Sequence, residues 1–548
     1  MPFSFKFPYD INPEFKVKVA YCCMEYGIHQ PLKTYAGGLG ILAGSHMRSA
    51  YELKQPMIGF GILWKYGYYD QIRKEDQRMD VLFQEKRYGF LQETGIRFSI
   101  IVSGQPVWVT AYYLPPTVFN TAPIFFLSTD LPENDYLAKT ISFKLYDSNP
   151  ETQIAAAILL GTGTVKLMEA INWQPDIYHL NESHALPLLF SLYKKYNSRE
   201  WVKERLVFTN HTPEKAGNQQ SSLSLLEKMG FFCSIPIGEI RAITGTEGDV
   251  LDHTLTALRF AKRANAVSKL HQQTLREIWN RENDICDIIA ITNAQNYSYW
   301  HDEEMYEALH VDNDKKITER KKKGKQALFD VVADQCGEIY DSTVCTIVFA
   351  KRFAGYKRAD LLLNDMDKFH RLVTNKDRPV QIIWAGKPYP VDYAAISIYD
   401  KIADLCKNYA NCSILSGYEL RLTKILKSGA DVWLNVPRLT HEACGTSGMS
   451  AAMNGAINVA LPDGWFPEFA KDNVNSFIIP PADKNLPEHE QDRIDANNLF
   501  QTLENIVLPV YYDHPDQWTT ILKNGLSDII PRFESNRMAK EYYEKLYI

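Results

Sequence analysis

The chain reads as a succession of short, almost wholly apolar runs separated by longer segments with helical periodicity. The runs occupy residues 17–23, 57–64, 176–180, 206–209, 346–350, 380–385, 431–435 and 456–460, and they are rich in branched and aromatic side chains. A strand covered on both faces is continuously apolar instead of alternating, so these runs predict parallel strands. Strand followed by helix, repeated, is the pattern of a doubly wound α/β fold. Residues 81–127 differ. There "FSIIVSGQPVWVTAYYL" alternates with a period near two and predicts antiparallel hairpin material inserted in the first half.

The strand–helix pattern stops at "ITNAQNYSYW" (residues 291–300) and restarts at Thr346. Between them lies a charge-rich segment, 312–335, with seven basic residues from Lys315 to Lys325. It predicts a helix with a solvated face near a domain junction. The resulting division is 1–297 (with the β insertion), 298–530, and a closing helix over 531–548. Met538, Tyr542 and Leu546 share one face of that helix at i, i+4, i+8.

Composition narrows the function classes. Sixty basic residues against 66 acidic ones give a net charge of −6, which argues against a nucleic-acid binder working through a basic surface. A membrane partner is not expected, because no apolar run approaches the roughly 18 residues needed to cross a bilayer. The first sixteen residues lack the basic start and apolar stretch of a signal peptide. Nine cysteines without a C-x-x-C pair predict reduced thiols in a cytoplasmic protein. The 31 tyrosines and 10 tryptophans are read first as core, then as sugar-stacking surface.

Candidate chemistry gathers where the apolar runs end. Gly37-Gly38-Leu39-Gly40 with Ala43 has dinucleotide-type spacing. Yet about ten residues separate it from the preceding run, and Glu52 comes too soon to meet a ribose. An anion-facing loop at a helix start and a glycine turn required only by its backbone both stay open. "HLNESHALP" places Asn181, Glu182 and His184, and "FTNHTPEKAGN" places Asn210 and His211, after buried strands. Strand carboxyl ends are where α/β proteins build sites, and this donor set suits a hydroxyl-rich ligand. Three or four converging metal ligands are not evident. "FAKRFAGYKRADLLL" brings Lys351, Arg352, Lys357 and Arg358 to a strand end, and "WAGKPYP" adds Lys387. Together they point to phosphate capture. In "HEACGTSGMSAAMNG", Glu442 precedes small residues, Gly445 and Thr446, whose NH groups can line an anion nest at a helix start.

Taken in order from Val19 to Trp465, these segments with "EACGTSGM", "NG" and "DGW" resemble the α-glucan (glycogen, starch, maltodextrin) phosphorylase family in its short bacterial and archaeal form. The resemblance implies a GT-B architecture, two Rossmann-like doubly wound domains facing across a cleft with the last helix crossing back. It also implies retaining glucosyl transfer between an α-1,4-glucan end and phosphate, with pyridoxal phosphate held as a Schiff base. Carried over by residue, Gly38, Leu39 and Gly40 resemble the glycine loop over sugar and phosphate. His211 resembles the histidine that touches the sugar and lends its carbonyl to the transition state. Asn293 resembles the asparagine near the glucose 6-hydroxyl. Arg352 and Lys357 resemble the cations on the reacting and cofactor phosphates. Glu442 resembles the glutamate on the sugar 3-hydroxyl, and Gly445–Thr446 the nest around phosphate and sugar.

One position departs from the family. The lysine expected after the methionine of "GTxxM" is Ser450, and serine cannot form an imine. Lys351, Lys357 and Lys387 match other motif positions, and the sequence shows no obvious substitute. The expectation is therefore no covalent pyridoxal phosphate. Three readings follow. The first is a glucosyltransferase on a glycogen or maltodextrin acceptor using a nucleotide sugar, whose diphosphate fills both phosphate sites and whose ribose takes the space the lysine leaves. The second is a phosphorylase holding pyridoxal phosphate non-covalently and exchanging glucose phosphate with α-glucan. The third is an inactive glycan-binding homologue. Homo-oligomerisation is compatible with each.

Overall fold

Two twisted sheets carry the chain, and both follow the doubly wound order. The structure is a computed structural model describing residues 3–548, the side chain of Ala216 excepted. The first sheet has nine strands. From edge to edge they are Asp287–Ala290, Arg263–Ala266, Leu206–Thr209, Ile177–Asn181, Val19–Cys22, Met57–Ile62, Ile124–Ser128, Gln105–Leu114 and Gln92–Val102. The first seven are parallel. The last two pair antiparallel, as the alternating stretch predicts. Ser103 and Gly104 close that hairpin with φ of 50° and 74°, the two positive values a two-residue turn of this kind needs.

The second sheet is parallel throughout: Cys412–Leu415, Val380–Ala385, Cys345–Ala350, Val432–Asn435, Ile457–Ala460 and Phe477–Ile478. In chain order that is 3-2-1-4-5-6. The strand order reverses between Cys345–Ala350 and Val432–Asn435, and in the first sheet between Val19–Cys22 and Ile177–Asn181. Ligands of open α/β sheets bind beyond the carboxyl ends of the strands at such reversals. Every residue of Val19–Cys22, Ile177–Asn181, Cys345–Ala350 and Val432–Asn435 is buried, which is why they appear in the sequence as uninterrupted apolar runs.

The chain divides into two units: 1–69 with 83–296 and 535–548, and 70–82 with 297–534. Residues 70–82 fall inside the span expected for the first domain but cluster with the second unit. Gln71 explains this, donating through Nε2 to the Gly386 carbonyl at 2.9 Å and accepting from the Gly417 NH at 3.0 Å. The C-terminal segment belongs to the first unit. Its α-helix Ser535–Glu541 loosens into a π-turn, Tyr542–Leu546, and Met538, Tyr542 and Leu546 are buried in the first unit's core. The Tyr547 hydroxyl meets His179 Nδ1 at 2.8 Å.

The basic helix, Asp314–Cys336, has the expected solvated face, with Lys315, Lys316, Lys322 and Lys323 exposed, but two of its lysines turn inward. Lys321 and Lys325 are buried: Lys325 Nζ lies 2.5 Å from Asp431 Oδ2, and Lys321 donates to the Ser428 and Asn454 carbonyls at 3.2 Å. A Cβ at Gly324 would fall 2.4 Å from the Ser428 carbonyl oxygen, so the helix approaches its neighbour too closely for any side chain there. No helix among the described residues is long and apolar enough to cross a membrane.

Buried histidines make the first unit sensitive to acid. His46 sits between Tyr21 and Tyr542 with neither ring nitrogen partnered, and burial pushes it down to about 3. Burial likewise holds His253 at about 3 and His271 at about 4, and keeps His179 well below the usual range. All four are neutral in both states above pH ~6.5. As pH falls below that value the unfolded chain takes up protons that the folded chain refuses. Each histidine then removes up to about 1.4 kcal/mol of stability per pH unit until its folded pKa is reached. The urea midpoint should drop steeply between pH 6.5 and 4; a flat midpoint over that window would contradict the buried neutral assignment.

Candidate active site

In the first unit the strand reversal is lined by Asn181, Glu182 and His211. Asn181 ends its strand, and its side-chain NH₂ donates to Cys23 Sγ at 3.1 Å, which turns Oδ1 toward His211 Nε2 at 2.7 Å. That contact puts the hydrogen on Nε2. Burial holds the His211 ring down to about 3, with His271 and His184 repelling a second proton, so the imidazole is neutral. Glu182 takes a positive φ of 69°, which for a residue with a Cβ is strained. The conformation is fixed by its own carboxylate, which accepts the backbone NH of His211 at 2.9 Å and of Ser183 at 3.1 Å. The Thr212 hydroxyl donates to it at 3.3 Å. Burial raises the Glu182 carboxyl against these donors. Glu182 is thereby a positioning residue for the His211 loop.

The glycine loop resolves into two kinds of position. A Cβ at Gly40 would lie 2.6 Å from Tyr35 Cβ, and one at Gly44 would lie 2.2 Å from the Gly27 carbonyl oxygen; both are demanded by packing. A Cβ at Gly37 or Gly38 meets nothing within 4 Å, so the start of the Gly38–Glu52 helix, with half-buried Leu39, keeps an open face. Glu25, which the sequence did not single out, shapes this loop. Its buried carboxylate accepts the NH groups of Ala36 (2.7 Å) and Gly37 (3.0 Å) and the Tyr146 hydroxyl (2.5 Å). Tyr146 in turn faces the His184 ring, 5.8 Å between centroids. Three buried polar atoms at these strand ends have no partner among the described residues: Asn210 Nδ2, Asn293 Oδ1 and His184 Nδ1. Buried polar groups are normally hydrogen-bonded, so these three atoms have hydrogen-bonding capacity to offer the hydroxyls of a ligand.

In the second unit the reversal gathers Lys351, Lys357 and Glu442. Lys351 follows its strand directly, is 5% exposed, and is pushed down to about 7 by burial and by the neighbouring Lys357. Lys357 Nζ makes a short ion pair with Glu442 Oε2. Burial opposes charge on both, but their attraction wins: Lys357 is held above and Glu442 below the ordinary value. Glu442 is further fixed by Asp463, whose Oδ2 accepts its backbone NH at 3.0 Å. Gly445 adopts φ 81°, the left-handed turn that leads through Thr446 into the Ser447–Ala452 helix. Asn435 Oδ1, at the end of its strand, has no partner among the described residues.

Two of the expected phosphate cations are committed elsewhere. Arg358 turns into the fold, donating to the Val436 and Pro437 carbonyls and pairing with Asp492 and Asp495 at 2.9 and 2.8 Å. Lys387 pairs with Glu419 at 2.9 Å. Arg352 is exposed beside the cluster. Among the described residues no group of three or more His, Cys, Asp or Glu could hold a metal ion.

Ser450 sits on the Ser447–Ala452 helix, 1% exposed. A lysine that the sequence did not single out reaches it: Lys427 Nζ, from the Leu420–Gly429 helix, donates to Ser450 Oγ at 2.6 Å. The signal was present in the sequence. Leu420, Thr423 and Lys427 lie at i, i+3, i+7, so a cation falls on the buried face of an amphipathic helix.

A family model described as carbohydrate phosphorylase matches residues 258–507. The chain is 43% identical to an uncharacterized protein of Methanocaldococcus jannaschii over 96% of this chain and 99% of that protein. It is 32% identical to a maltodextrin phosphorylase of Thermococcus litoralis over 98% of this chain and 71% of that enzyme. A glycogen phosphorylase of Aquifex aeolicus is 29% identical over 97% and 86%.

The Glu182 assignment has a local test. Glu182→Gln keeps the volume but turns an acceptor oxygen into a donor, leaving one of two backbone NH groups unpaired. Loss of such a bond corresponds to about 1–3 kcal/mol. Amide exchange at Ser183 and His211 should accelerate about tenfold or more, since roughly 1.4 kcal/mol of local opening is a factor of ten. The global melting temperature should move little, because a buried carboxylate is removed at the same time. Unchanged exchange at both amides would remove Glu182 from this role.

Proposed function

The chain belongs to the carbohydrate phosphorylase family, and we propose that it moves glucose between the end of an α-1,4-glucan and inorganic phosphate. It is a hexosyltransferase of the GT-B class. The observation that carries the choice of phosphate is the Lys427 amine on Ser450. A nucleotide-sugar donor needs the space left by the missing lysine for its ribose, and Nζ fills it at 2.6 Å from Ser450 Oγ.

Pyridoxal phosphate comes with the family resemblance, and the residues fit it. Lys351 is a buried cation with no carboxylate in ion-pair contact among the described residues, as a phosphate site requires, and Asn435 Oδ1 beside it lacks a partner. Lys351 and Lys357 would hold the cofactor phosphate. When bound, that group supplies a second phosphate beside the reacting one.

The chain's own groups then have distinct tasks. The Lys357–Glu442 pair is the resting state of two binding groups. A glucose hydroxyl donating to Glu442 and a phosphate accepting from Lys357 would satisfy both after the pair separates. Arg352 adds charge to the reacting phosphate. The neutral His211 ring, fixed by Asn181, places its backbone carbonyl by the anomeric carbon as positive charge develops there. Glu182 accepts two backbone NH groups, one on each carboxylate oxygen, and these hold it to the His211 loop in a positioning role. Departure and attack on one face, with the phosphate accepting the incoming hydroxyl's proton, therefore give retention without a glucosyl-enzyme.

The tests are direct. Purified protein with maltodextrin and phosphate should release α-glucose 1-phosphate, its configuration read by NMR. Arg352→Ala or Lys357→Ala should each lower kcat about 100-fold or more, with the fold intact, because each removes a charge from the transferring phosphate. Near-normal rates, or a glucosyl ester trapped on Glu182, would overturn these roles. A nucleoside diphosphate at 100 times its Kd adds about 2.7 kcal/mol to the stability of a protein that binds it. If UDP or ADP stabilises the chain in this way and phosphorolysis is absent, the donor is a nucleotide sugar. If glucan alone binds and neither reaction occurs, the chain is an inactive glycan binder.

A further inference from the structure

The buried lysines of the second unit divide by their partners. Lys325 has Asp431, Lys357 has Glu442, Lys387 has Glu419, and Lys321 donates to the Ser428 and Asn454 backbone carbonyls. Lys427 is 1% exposed, and its contacts are of another kind: the Ser450 hydroxyl and the face of Trp300, 3.8 Å from Nζ to the ring centroid. Among the described residues no carboxylate compensates it, and the other charge acting on it is a second cation, Lys424. Burying an amine without a counter-charge is expensive, and Met or Leu would fill the same volume at no such cost. Packing therefore does not explain the residue.

We propose that Lys427 supplies, from the neighbouring helix, the primary amine that Ser450 lacks, and that it forms an imine with the aldehyde of pyridoxal phosphate. The proposal rests on the phosphate-dependent reading above and departs from the expectation of no covalent pyridoxal phosphate, which was drawn because the sequence shows no obvious substitute for the lysine at 450. Serine is the right size for this exchange. A lysine at 450 would direct its own chain at the space that Lys427 Nζ occupies, whereas a hydroxyl both leaves that space and orients the amine by accepting its hydrogen.

The chemistry suits the burial. Loss of water pushes the Lys427 amine well below its ordinary value, which favours the neutral form that carries the lone pair. That lone pair adds to the aldehyde carbon and the carbonyl bond opens. The oxygen departs as water with the two hydrogens originally on nitrogen, and the carbon–nitrogen double bond forms. No oxidant, reductant or further reactant is consumed. Trp300 and the helix carrying Ser450 enclose the amine on the protein side.

The full chain, incubated with pyridoxal phosphate, should develop the visible absorbance of an imine. Borohydride reduction followed by peptide mass spectrometry should place the phosphopyridoxyl group on Lys427. Lys427→Met should lose both signals and release pyridoxal phosphate at least tenfold more readily, while melting no lower than the cofactor-free parent because a buried amine without a counter-charge is removed. Combining Lys427→Met with Ser450→Lys should return the absorbance and move the adduct to position 450. An adduct on another lysine overturns the proposal. So does cofactor retained equally by parent and Lys427→Met without a reducible bond; phosphorolysis that persists in that case leaves the phosphorylase reading standing. A parent chain that neither takes up pyridoxal phosphate nor forms glucose 1-phosphate overturns both.

Discussion

The Asp431 carboxylate is the interaction on which the second unit's site depends. Its Oδ2 accepts Lys325 Nζ at 2.5 Å and the Thr346 NH at 2.9 Å, while its backbone carbonyl accepts the Ile457 NH at 2.9 Å. One residue thus registers the amino ends of three adjacent strands, Cys345–Ala350, Val432–Asn435 and Ile457–Ala460. These strands are only four to six residues long, so a register fixed at one end is transmitted rigidly to the other. Lys351, Asn435 and the loop bearing Glu442 emerge there. Losing either partner of so buried a pair would leave an unpaired charge costing about 3–5 kcal/mol, and the site would lose its alignment with the fold.

Buried lysines in this unit differ in what meets the amine. At Lys325 and Lys387 a carboxylate lies beside it, and Lys321 donates to the Ser428 and Asn454 carbonyls. Lys351 and Lys427 have neither among the described residues, and the proposals above give them an anion and a carbonyl carbon. Lys357 stands between the two classes. Its pairing with Glu442 neutralises both groups, and the proposed function requires that pair to separate for an anionic phosphate and a hydroxyl donor. The low dielectric that makes the unpaired amines costly is also what disfavours their charged form.

Sequence legibility followed from burial on both faces. The eight apolar runs all became strands, as expected for short runs rich in branched and aromatic side chains that are covered on both faces. Other strands went unread, among them three of the two large sheets. Arg263–Ala266 contains Arg and Asn, Asp287–Ala290 opens on an acid at the sheet edge, and Cys412–Leu415 is a four-residue edge strand. The motifs located Asn181, Glu182, His211, Lys357 and Glu442, since residues at strand carboxyl ends are local in sequence. What was illegible was contact across elements: Glu25 reaching the glycine loop eleven and twelve residues on, Gln71 reaching Gly386, and Arg358 turning inward to Asp492 and Asp495.

Lys427 shows why position in a motif is a poor proxy for position in space. A lysine amine sits at the end of a four-carbon stem, so the place of Nζ is only loosely tied to the place of Cα. Two backbone sites on neighbouring helices can deliver an amine to one point, provided that the site giving it up becomes small and polar and the site receiving it faces inward. Both conditions hold: Ser450 is small, buried and an acceptor, and Lys427 lies on the same helical face as Leu420 and Thr423. A chain can therefore depart from its family at the residue that looks most diagnostic and still bring the same functional group to the same place. The constraint that persists is on the nitrogen atom, and the backbone that carries it is free to change.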